Sequence, residues 1–525
     1  MKGEETVGEF ESVRNSLLAD PADADAYVRL GDLYYPKNIN QAYLCYELAG
    51  FHESSPEKQH IISNLMKKAE NDGAAVRPVS VVIVSYNSKD AQIGCIESIR
   101  MNNPPKSYEI IVVDNASTDG ITQWLEEQPD IKLRKNTENL GFGPASNQGV
   151  AMAAPGNDIF FLNNDTIVLP GSIFWLRMGL YENENVGAIG SVSNNVSYFQ
   201  RVDEPIDTLE GWMAYGIRNN VPQENPYERK ITLVGFAILA KRSVIDTVGL
   251  FDEIYGIGNF EDDDLCMRIR KCGYEIILCH NSFIYHFGSL GFKQRDEQSY
   301  NELINRNQAL FMNKWGFDIN TYKPPGMDIT EHIEPAGDGN FTVLEIGCGF
   351  GATLYRIAYE HPGAVVKGIT ENSKIADIVS ATTDITYRDR EHLFDIGDEK
   401  YDYIILGDIT KKIDDLAGTL TKISSNLNEN GRIILRLYNI MHVSVLLPLL
   451  RGKFDIGGKR YYTIDSAVDI FKRANLTIDK LTGTRGYEDE LESERELWDL
   501  LEQKLGDDFS AQALTYNYVI RVRPR

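Results

Sequence analysis

The sequence predicts an α/β protein with two sheet-containing domains behind a short helical region. In each of two zones, short apolar strands alternate with helical patterns, which is typical of a mainly parallel sheet. The first zone opens with "RPVSVVIVSYNS", and the second opens at Phe341. A stretch rich in Pro, Gly and polar residues, 319–340, separates them and is typical of a linker. We therefore expect a helical region at 1–76 and domains at 77–325 and 326–525.

Composition excludes several classes of protein. The chain has 525 residues and a net charge of −24, which argues against a general binder of nucleic acid or of anionic membranes. Its six cysteines form no CxxC pair and lack the spacing of a structural zinc site or a disulfide framework. The N-terminus lacks a basic start and an apolar core, and no apolar run reaches membrane-spanning length. We expect a cytoplasmic protein without a transmembrane segment, with peripheral membrane contact left open.

The helical region contains a stretch, residues 27–49, that resembles a single tetratricopeptide repeat. The positions that match its signature, with one residue deleted, are Leu30, Gly31, Tyr34, Ala42, Tyr46 and Ala49. One repeat cannot bury its own apolar face. We therefore expect it to pack on the neighbouring domain, on a second copy in a homo-oligomer, or on a partner protein. A plain helical hairpin explains the pattern equally well.

In the first α/β zone, polar residues stand where the strands end. The strand "VSVVIVSYN" runs into Tyr86 and Asn87, and the strand in "YEIIVVDNASTDG" ends at Asp114. Open parallel sheets bind ligands at the carboxyl ends of their strands. The next segment, "NLGFGPASNQGV", supplies three glycines where backbone can approach a ligand, and then Asn147 at the start of a probable helix. These residues predict a ligand site along one edge of the sheet.

A third strand, "DIFFLNNDTIV", carries Asn163 and Asp165 two residues apart. Both side chains therefore leave the same face of the strand, while Asn164 points to the other face. A carboxylate at a strand end is well placed to reach a bound metal. Further along the chain, "IYHFGSLG" places His286 at the end of another apolar run.

Four consecutive carboxylates, Glu261 to Asp264, stand in the stretch "NFEDDDLCMRIRKCGY". Acidic residues favour the first turn of a helix, and Asp264 and Arg268 are one turn apart. That role explains one or two of the four, because each further like charge adds repulsion. We therefore expect a cation or a bound proton close to this cluster.

The order and spacing of these segments resemble the inverting family-2 glycosyltransferases of the GT-A fold, with rhamnosyltransferase-like members closest. The resemblance runs from Val79 to Gly291, about 210 residues. It includes "NLGFGPASNQG", the metal-motif position "NND", the acceptor-side "LVGFAILAKRSVIDTVGLFDE" and the "EDDDLCMR" box. It implies transfer of a sugar from a UDP- or dTDP-sugar to a hydroxyl of a surface glycan or protein, by one displacement with inversion.

The resemblance also implies roles for single residues. Asp262 matches the general base and Glu261 would help to hold the acceptor, while Asp165 and His286 match the ligands of a divalent metal. An imidazole ligand makes Mn2+ more suitable than Mg2+, which prefers oxygen. Asn163 departs from the first Asp of the metal motif, so it is expected at the ribose. The expected nucleotide-sugar contacts are Tyr86, Asn87, Asp114, Asn139, Gly141, Asn147, Asn163 and Asn164.

The second zone opens with "FTVLEIGCGFGATLYRIAYEH", a strand followed by a glycine-rich turn and a helix. Gly347, Gly349 and Ala352 also satisfy a dinucleotide-binding fingerprint. Glu345, two residues before the first glycine, favours a different family, because "EIGCGFG" resembles motif I of class I S-adenosylmethionine methyltransferases. The resemblance extends from residue 341 to about 480.

This second resemblance implies that the domain binds S-adenosylmethionine through Glu345, the glycine turn, Glu371 and Asp389. The turn with Gly347 and Gly349 would lie at the amino-acid end, Glu371 at the ribose and Asp389 at the adenine. Where many relatives carry "EH" after the fourth strand, this chain has Asp408 and Ile409. A candidate base is thus missing, and cofactor binding is better supported than methylation of a sugar hydroxyl. A degenerate domain kept for structure is the alternative.

Two descriptions of the whole molecule follow. One is a glycosyltransferase that is also able to methylate a sugar. The other is an interaction scaffold whose repeat-like N-terminus and degenerate methyltransferase fold recruit other glycan-assembly enzymes. The intact set of Asp114, Asp165, Asp262 and His286 favours the enzyme, because a scaffold has no need of it.

Overall fold

A computed structural model describes residues 2–197, 199–288, 297–335, 339–453, 459–485 and 495–525. The chain divides into two compact units, residues 1–323 and 324–525. The boundary falls inside the predicted linker, but that segment is not a solvated connection. Ile319 in the first unit and Ile329 and Ile333 in the second are buried, because each apolar side chain joins the core of its own unit.

The helical N-terminal region belongs to the first unit. Its four helices are α1 (Lys2–Ala19), α2 (Ala24–Tyr34), α3 (Ile39–His52) and α4 (Pro56–Asn71). Helices α2 and α3 meet closely at Gly31, where a Cβ atom would stand 2.4 Å from the ring of Tyr46. Helix α3 also packs on a later helix of the same unit, since the Gln41 amide donates to the carbonyl of Met178 at 2.9 Å and Arg177 pairs with Glu47. The apolar face of this region is thus covered by the sheet-containing part of its own unit.

The sheet of the first unit has the strand order β3-β2-β1-β4-β8-β6-β9-β5, with β7 also paired to β9. The strands are β1 (Val79–Ser85), β2 (Tyr108–Asp114), β3 (Ile131–Lys135), β4 (Asp158–Asn163), β5 (Thr166–Val168), β6 (Val186–Val192), β7 (Tyr227–Arg229), β8 (Ala237–Ala240) and β9 (Glu275–His286). Strands β1 to β4 are parallel, and β8 runs against β4. Strand β1 is almost wholly buried, as expected for an apolar strand with helices on both faces.

Helices cover the first sheet. They are α5 (Lys89–Asn102), α6 (Ile121–Glu126), α7 (Phe142–Met152), α8 (Ser172–Leu180), α9 (Leu209–Asn219), α10 (Arg242–Val248), α11 (Glu261–Lys271) and α12 (Glu297–Trp315). Short 3-10 helices lie at Glu253–Tyr255 and Ile319–Thr321. The chain leaves β1 towards β2 and returns on the other side of β1 at β4, so the strand order reverses between β1 and β4. Ligand sites form at such a reversal, at the carboxyl ends of the strands.

The second unit contains a sheet of order β12-β11-β10-β13-β14-β16-β15. Its strands are β10 (Phe341–Ile346), β11 (Ala364–Thr370), β12 (Ile385–Tyr387), β13 (Tyr401–Leu406), β14 (Leu427–Tyr438), β15 (Leu476–Arg485) and β16 (Thr515–Pro524). The first five are parallel and β16 is antiparallel to both its neighbours. The order reverses between β10 and β13, which again marks a ligand site.

Helices of the second unit are α13 (Met327–Thr330), α14 (Ala352–Glu360), α15 (Ser373–Val379), α16 (Leu416–Ser424), α17 (Val443–Leu450), α18 (Ile464–Arg473), α19 (Arg495–Leu505) and α20 (Asp507–Ala513), with a 3-10 helix at Asp408–Lys412. Among the residues that the structure describes, no helix in either unit is both long enough and apolar enough to cross a membrane.

Candidate active site

The ends of β1 and β2 are joined through polar side chains. Asp114 is buried at the end of β2, where its carboxylate accepts hydrogen bonds from the Ser117 amide at 3.1 Å and the Thr122 hydroxyl at 2.6 Å. Asn87 follows β1, and its side-chain oxygen accepts from the Thr118 amide at 2.9 Å. Tyr86 is half-buried beside it. These contacts fix the two loops at the strand ends, where the nucleotide was predicted to bind.

The glycine-containing segment before α7 is held against a later loop. The side-chain oxygen of Asn139 accepts from the Gly141 amide at 2.9 Å. Gly141 has φ of +95°, and a Cβ there would stand 2.3 Å from the carbonyl oxygen of Gly256, so only glycine fits. Asn147 lies in the middle of α7 rather than at its start. Its amide nitrogen donates to the Phe251 carbonyl at 2.9 Å and its oxygen accepts from the Phe251 amide at 3.0 Å, so it positions that loop.

Asp165 and His286 are brought together by strand pairing. Strand β5 runs antiparallel to β9, and Thr166 is the register partner of His286. As a result, Asp165 Oδ1 and His286 Nε2 are 3.1 Å apart, and both side chains are buried. The other ring nitrogen, Nδ1, is 2.7 Å from the carbonyl oxygen of Asn195. Residues 121 positions apart in sequence thus form one polar pair.

The polarity of this pair indicates what it holds. A carbonyl oxygen only accepts, so His286 Nδ1 must carry a proton, and in a neutral ring Nε2 then presents a lone pair. That lone pair faces the Asp165 carboxylate, an arrangement that requires a proton or a cation between them. A histidine whose far nitrogen donates to a backbone carbonyl is oriented as metal-binding histidines are. Asn163, whose amide nitrogen is 3.3 Å from Nε2, adds no charge.

The pair supplies only two protein ligands. Within the described ranges, no group of three or more His, Cys, Asp or Glu side chains is placed to hold a metal ion. A cation held by these two side chains would need further oxygen ligands from water or from a bound molecule. The donor set of one carboxylate and one imidazole fits Mn2+.

The four carboxylates at the start of α11 have four different environments. Asp263 pairs with Lys323 at 2.7 Å, and both side chains are buried. Asp264 is fully buried and contacts Arg268 at 2.9 Å, Lys314 at 2.6 Å and the Trp315 indole nitrogen at 2.9 Å. The cations expected near this cluster are therefore present, and they neutralise the last two of the four.

Asp262 is the most exposed of the four carboxylates. Its two oxygens accept hydrogen bonds from the backbone amides of Gly235 and Asp263, each at 2.8 Å. Desolvation, followed by the nearby charge of Asp263, raises the pKa of Asp262 to about 6, against the opposing effect of Lys323. A carboxylate that is fixed in place, accessible and poised to take a proton near neutral pH has the properties of a general base.

Glu261 differs from its neighbours because it is buried and unpaired. Its side chain is 6% exposed, and within the described part of the chain its Oε2 has no hydrogen-bond partner. Burial, with the charge of Asp262 next in importance, raises the pKa of Glu261 well above its ordinary value. Burial therefore favours the protonated form of Glu261, which has a hydroxyl to donate.

Residues 235 and 236 connect the acidic box to the Asp165–His286 pair. The Gly235 amide holds Asp262, as described above. The next carbonyl, that of Phe236, accepts from the Asn163 amide at 2.8 Å, and the Phe236 ring stacks on His286 with centroids 5.3 Å apart. Two adjacent residues thus bring the general-base candidate and the metal-ligand candidates to one site.

The second unit shows a different arrangement after β10. Gly347 has φ of +79°, and a Cβ there would lie 2.7 Å from the Ile409 side chain. Gly349 also has a positive φ, so the turn requires both glycines. Glu345 is buried, and within the described residues its Oε2 has no hydrogen-bond partner. Burial is the main cause that raises the pKa of Glu345 to about 7.

Glu371 and Asp389 line a cavity of about 500 Å³ at the ends of β11 and β12. Glu371 pairs with Lys412 at 3.0 Å, and Asp389 pairs with His392 at 2.7 Å. Glu345, Gly347 and Gly349 do not line this cavity, although Ile409, which contacts the Gly347 turn, does. The orphaned Glu345 oxygen, the glycine turn and the acid-lined cavity fit a nucleoside cofactor.

Asp408, at the position where a base was expected, is engaged by neighbours. It contacts Arg436 at 2.9 Å, Lys411 at 3.0 Å and the Tyr438 hydroxyl at 2.9 Å. Although burial opposes ionisation, these cations lower the pKa of Asp408. A carboxylate held ionised by two cations is a weak base.

Comparison with protein-family models identifies two domains in the chain. Residues 80–246 match the sequence model described as glycosyl transferase family 2. The chain carries a family-2 glycosyltransferase domain. Residues 312–481 match a model described as a methyltransferase domain, so a methyltransferase-like domain follows the glycosyltransferase domain. The predicted fold class, α/β with GT-A and Rossmann-like methyltransferase domains, is confirmed.

Curated relatives resemble the glycosyltransferase domain. The N-acetylglucosaminyl-diphospho-decaprenol L-rhamnosyltransferase of Mycobacterium tuberculosis is 27% identical over 209 residues, 34% of this chain and 67% of that protein. The poly(ribitol-phosphate) beta-glucosyltransferase of Bacillus spizizenii is 31% identical over 150 residues, 26% of this chain and 23% of that protein. The crystal structure of GalNAc-T7 with UDP, GalNAc and Mn2+ aligns at 15% identity and a TM-score of 0.39, covering 55% of each chain. The chain spans about a quarter to two thirds of the length of the two curated relatives.

The sequence analysis did not predict some residues of the candidate site in the glycosyltransferase domain. Lys323 neutralises Asp263 from a position in the predicted linker, and Gly235 and Phe236 bridge the two halves of the site. The segment "LVGFAILAK", which contains both bridging residues, was assigned to the acceptor side, so a signal for them existed in the pattern. Lys323 had no such signal. Asp262 and His286 lie beyond the residues that the family model matches.

Proposed function

We propose that the chain is an inverting glycosyltransferase that moves a hexose from a UDP- or dTDP-sugar to a hydroxyl of a surface glycan or protein. The observation that supports this most strongly is the accessible, backbone-anchored Asp262 beside the Asp165–His286 pair. The printed names of two relatives, a rhamnosyltransferase and a glucosyltransferase, agree with a hexose. The reduced cysteine pattern supports action in the cytoplasm.

The chemistry assigned to the chain is a single displacement. Asp262 takes the proton of the acceptor hydroxyl while the acceptor oxygen forms a bond to the anomeric carbon from the face opposite the diphosphate. The bond from the anomeric carbon to the diphosphate oxygen breaks, and the nucleotide diphosphate leaves with that electron pair. Glu261 is buried beside Asp262, and in its protonated form, which burial favours, it donates a hydrogen bond that orients the acceptor. Asp165 and His286 would hold a divalent cation, which when bound offsets the charge that grows on the diphosphate.

The test is release of nucleotide diphosphate from a panel of UDP- and dTDP-hexoses, measured with Mn2+ and with EDTA. We expect turnover of at least one donor with Mn2+ and none with EDTA. Asp165→Ala and His286→Ala should each weaken Mn2+-dependent donor binding. The exposed residues Asp246 and His60 provide matched controls, and their alanine variants should behave as wild type. Full turnover in EDTA would refute the metal assignment, and no turnover of any donor would refute the glycosyltransferase.

We also propose that the second unit binds S-adenosylmethionine. The glycine turn, the orphaned Glu345 oxygen and the cavity that contains Glu371 and Asp389 support this. Calorimetry on the full chain should detect binding, and Glu371→Ala should weaken it by about 1.5–3 kcal/mol, the scale of a hydrogen bond to a charged group. Glu429→Ala, at an exposed glutamate outside the cavity, is the control. Absence of binding by S-adenosylmethionine and S-adenosylhomocysteine at millimolar concentration would leave the domain a structural relic.

The scaffold alternative makes an opposite prediction for the same assays. A scaffold retains its partners without turning over a donor, whereas the arrangement of Asp262, Asp165 and His286 has no purpose without a substrate. Methylation of a sugar hydroxyl is a further activity, and it requires that the second unit binds S-adenosylmethionine. Asp408 is a weak candidate for its base, because Arg436 and Lys411 already neutralise its charge.

A further inference from the structure

A second, larger cavity in the methyltransferase-like unit is strongly basic. Its volume is about 840 Å³, within the range of small-molecule sites in proteins. Six of its lining residues are cations: Arg390, Lys411, Lys412, Lys459, Arg460 and Arg473. Only two carboxylates, Asp414 and Asp415, line it with them. The chain has a net charge of −24, so a cavity lined mainly by cations differs from the average surface of this protein.

Among the described residues, the carboxylates of the cavity pair with one of these six cations, while Lys411 and Lys412 pair with Asp408 and Glu371, which do not line it. Asp414 pairs with Arg460, and Asp415 accepts from the Gly418 amide at 3.0 Å as the cap of α16. Three further cations, Arg390, Lys459 and Arg473, have no ion pair within the described parts of the chain. Like charges gathered at one cavity repel each other unless an anion binds among them. The cavity therefore has unsatisfied capacity for negative charge.

The basic cavity adjoins the one assigned to the nucleoside cofactor. Arg390, Lys412, Asp414 and Asp415 line both. Lys412 is the direct link, because it lines the basic cavity while its ammonium pairs with Glu371 of the cofactor cavity at 3.0 Å. A cofactor ribose that takes the Glu371 carboxylate would release Lys412, and an anion in the basic cavity would receive it.

Aromatic side chains complete the lining. Tyr461 and Tyr462 stand beside the cations, and aromatic faces with hydroxyl groups suit the apolar and polar faces of a pyranose ring. Guanidinium groups such as those of Arg390 and Arg473 match phosphate oxygens with paired hydrogen bonds. The cavity is larger than a free ion requires, and its charged and aromatic side chains suit a ligand that carries both a phosphate and a sugar ring.

We propose that this cavity binds a phosphorylated saccharide, with its phosphate groups among the arginines and lysines and its sugar ring against the tyrosines. Phosphate binding stands independently of the glycosyltransferase. Only the further step, in which this saccharide is the group presented to S-adenosylmethionine, rests on the proposed cofactor binding. The phosphate has two sources with one chemistry: a sugar phosphate joined to a nucleotide, or a sugar phosphate without a base.

The test is calorimetry on the full chain in EDTA, which removes metal-dependent binding at the first unit. The probes are glucose 1-phosphate, inorganic pyrophosphate, UDP-glucose and, as the uncharged probe, methyl glucoside. We expect the phosphorylated probes to bind and methyl glucoside not to bind, with affinity falling as salt rises. Tighter binding by UDP-glucose than by glucose 1-phosphate would identify the nucleotide-linked source, and the reverse the base-free source.

Single substitutions test whether the phosphorylated probes bind in the basic cavity. Arg473→Gln and Arg390→Gln should each weaken glucose 1-phosphate binding about tenfold, whereas Lys472→Gln, the same loss of charge at the next residue of α18 but outside the cavity, should not. Retained S-adenosylmethionine binding in Arg473→Gln and Lys472→Gln, two residues that do not line the cofactor cavity, shows that the unit is folded. Equal affinity in all three variants, or no binding of any phosphorylated probe by the wild type, would overturn the proposal. Phosphate binding without S-adenosylmethionine binding would leave this site standing and remove only the proposed cofactor function.

Discussion

The acidic groups at the two candidate sites differ in exposure and in the partners that hold them. At the start of α11, Asp263 and Asp264 are neutralised by cations inside the fold, and Asp262 is held by two backbone amides. In the methyltransferase-like unit, Glu371 is half-buried and Asp389 is exposed, and their partners Lys412 and His392 are exposed side chains. The first site is rigid before any substrate arrives. The second must exchange its pairs to bind one.

This difference has a chemical reason. A general base must stand at a fixed position when the acceptor hydroxyl arrives, because misplacement directly raises the barrier. A site that recognises ribose and adenine needs only hydrogen-bond acceptors that become available when the ligand enters, and exposed ion pairs contribute little to stability. The two units share one unusual feature: each has a buried glutamate with an oxygen that lacks a hydrogen-bond partner among the described residues, Glu261 in one and Glu345 in the other.

The largest expected effect concerns the buried pair of Asp263 and Lys323 and the stability of the first unit. Lys323→Met should lower the free energy of unfolding of the first unit by about 3–5 kcal/mol, because it leaves Asp263 buried without its cation. Urea unfolding followed by tryptophan fluorescence measures it. Lys412→Met, which breaks the exposed pair with Glu371, is the matched control and should change stability by less than about 1 kcal/mol.

Adding Asp263→Asn to Lys323→Met should restore most of the lost stability, since both members of the buried pair are then uncharged. If Lys323→Met and Lys412→Met destabilise the chain equally, the contrast between a rigid and an adjustable site is wrong.

The next effect concerns chemistry rather than folding. Asp262→Asn should lower turnover at least ~10²-fold with donor affinity nearly unchanged, the scale for loss of a general base. Steady-state kinetics with the best donor, and calorimetry for donor affinity, separate the two. Asp246→Asn, at an exposed aspartate of α10, is the control. Wild-type turnover by Asp262→Asn would exclude Asp262 as the base.

The smallest expected effect concerns the buried glutamate of the second unit, Glu345, and the pH dependence of stability. Folding raises the pKa of Glu345 from its ordinary 4.5 to about 7, so the folded state holds a proton that the unfolded state loses in this pH range. Stability should therefore fall as pH rises from about 4.5 to 7 and level off above it. Glu345→Gln should remove this dependence and stabilise the second unit at pH 8 by about 2 kcal/mol. Thermal unfolding at pH 5 and pH 8 checks it, and a variant with an unchanged pH dependence would contradict the cause.

The parts of the site that the sequence predicted are those set by local geometry. Strand periodicity, which was expected to put Asn163 and Asp165 on one face, does not apply there, because β4 ends at Asn163 and Asp165 lies in the turn before β5. Helix periodicity pairs Asp264 with Arg268 four residues later. Polar residues at the ends of apolar strands could be assigned to one sheet edge for the same reason. These rules depend on spacing along the chain, which the sequence contains.

The parts that the sequence did not predict depend on the path of the chain in space. Lys323 reaches Asp263 across 60 positions, and its Pro-rich surroundings had indicated a linker. Asn147 was expected to begin a helix, whereas it lies in the middle of α7 and both ends of its amide bind Phe251. Its contact with a nucleotide stays a prediction. The basic cavity combines residues from separated segments of the second unit, and no motif contains it.

The central claim, that Asp262 is the general base, is tested most directly by the pH dependence of turnover at saturating donor and metal. With the pKa of Asp262 near 6, the wild-type kcat should be constant above about pH 7 and fall close to tenfold per pH unit below 6, as the carboxylate takes up a proton. The residual activity of Asp262→Asn should lack this decline. A wild-type kcat that stays constant down to pH 5, or the same decline in Asp262→Asn, would contradict the account.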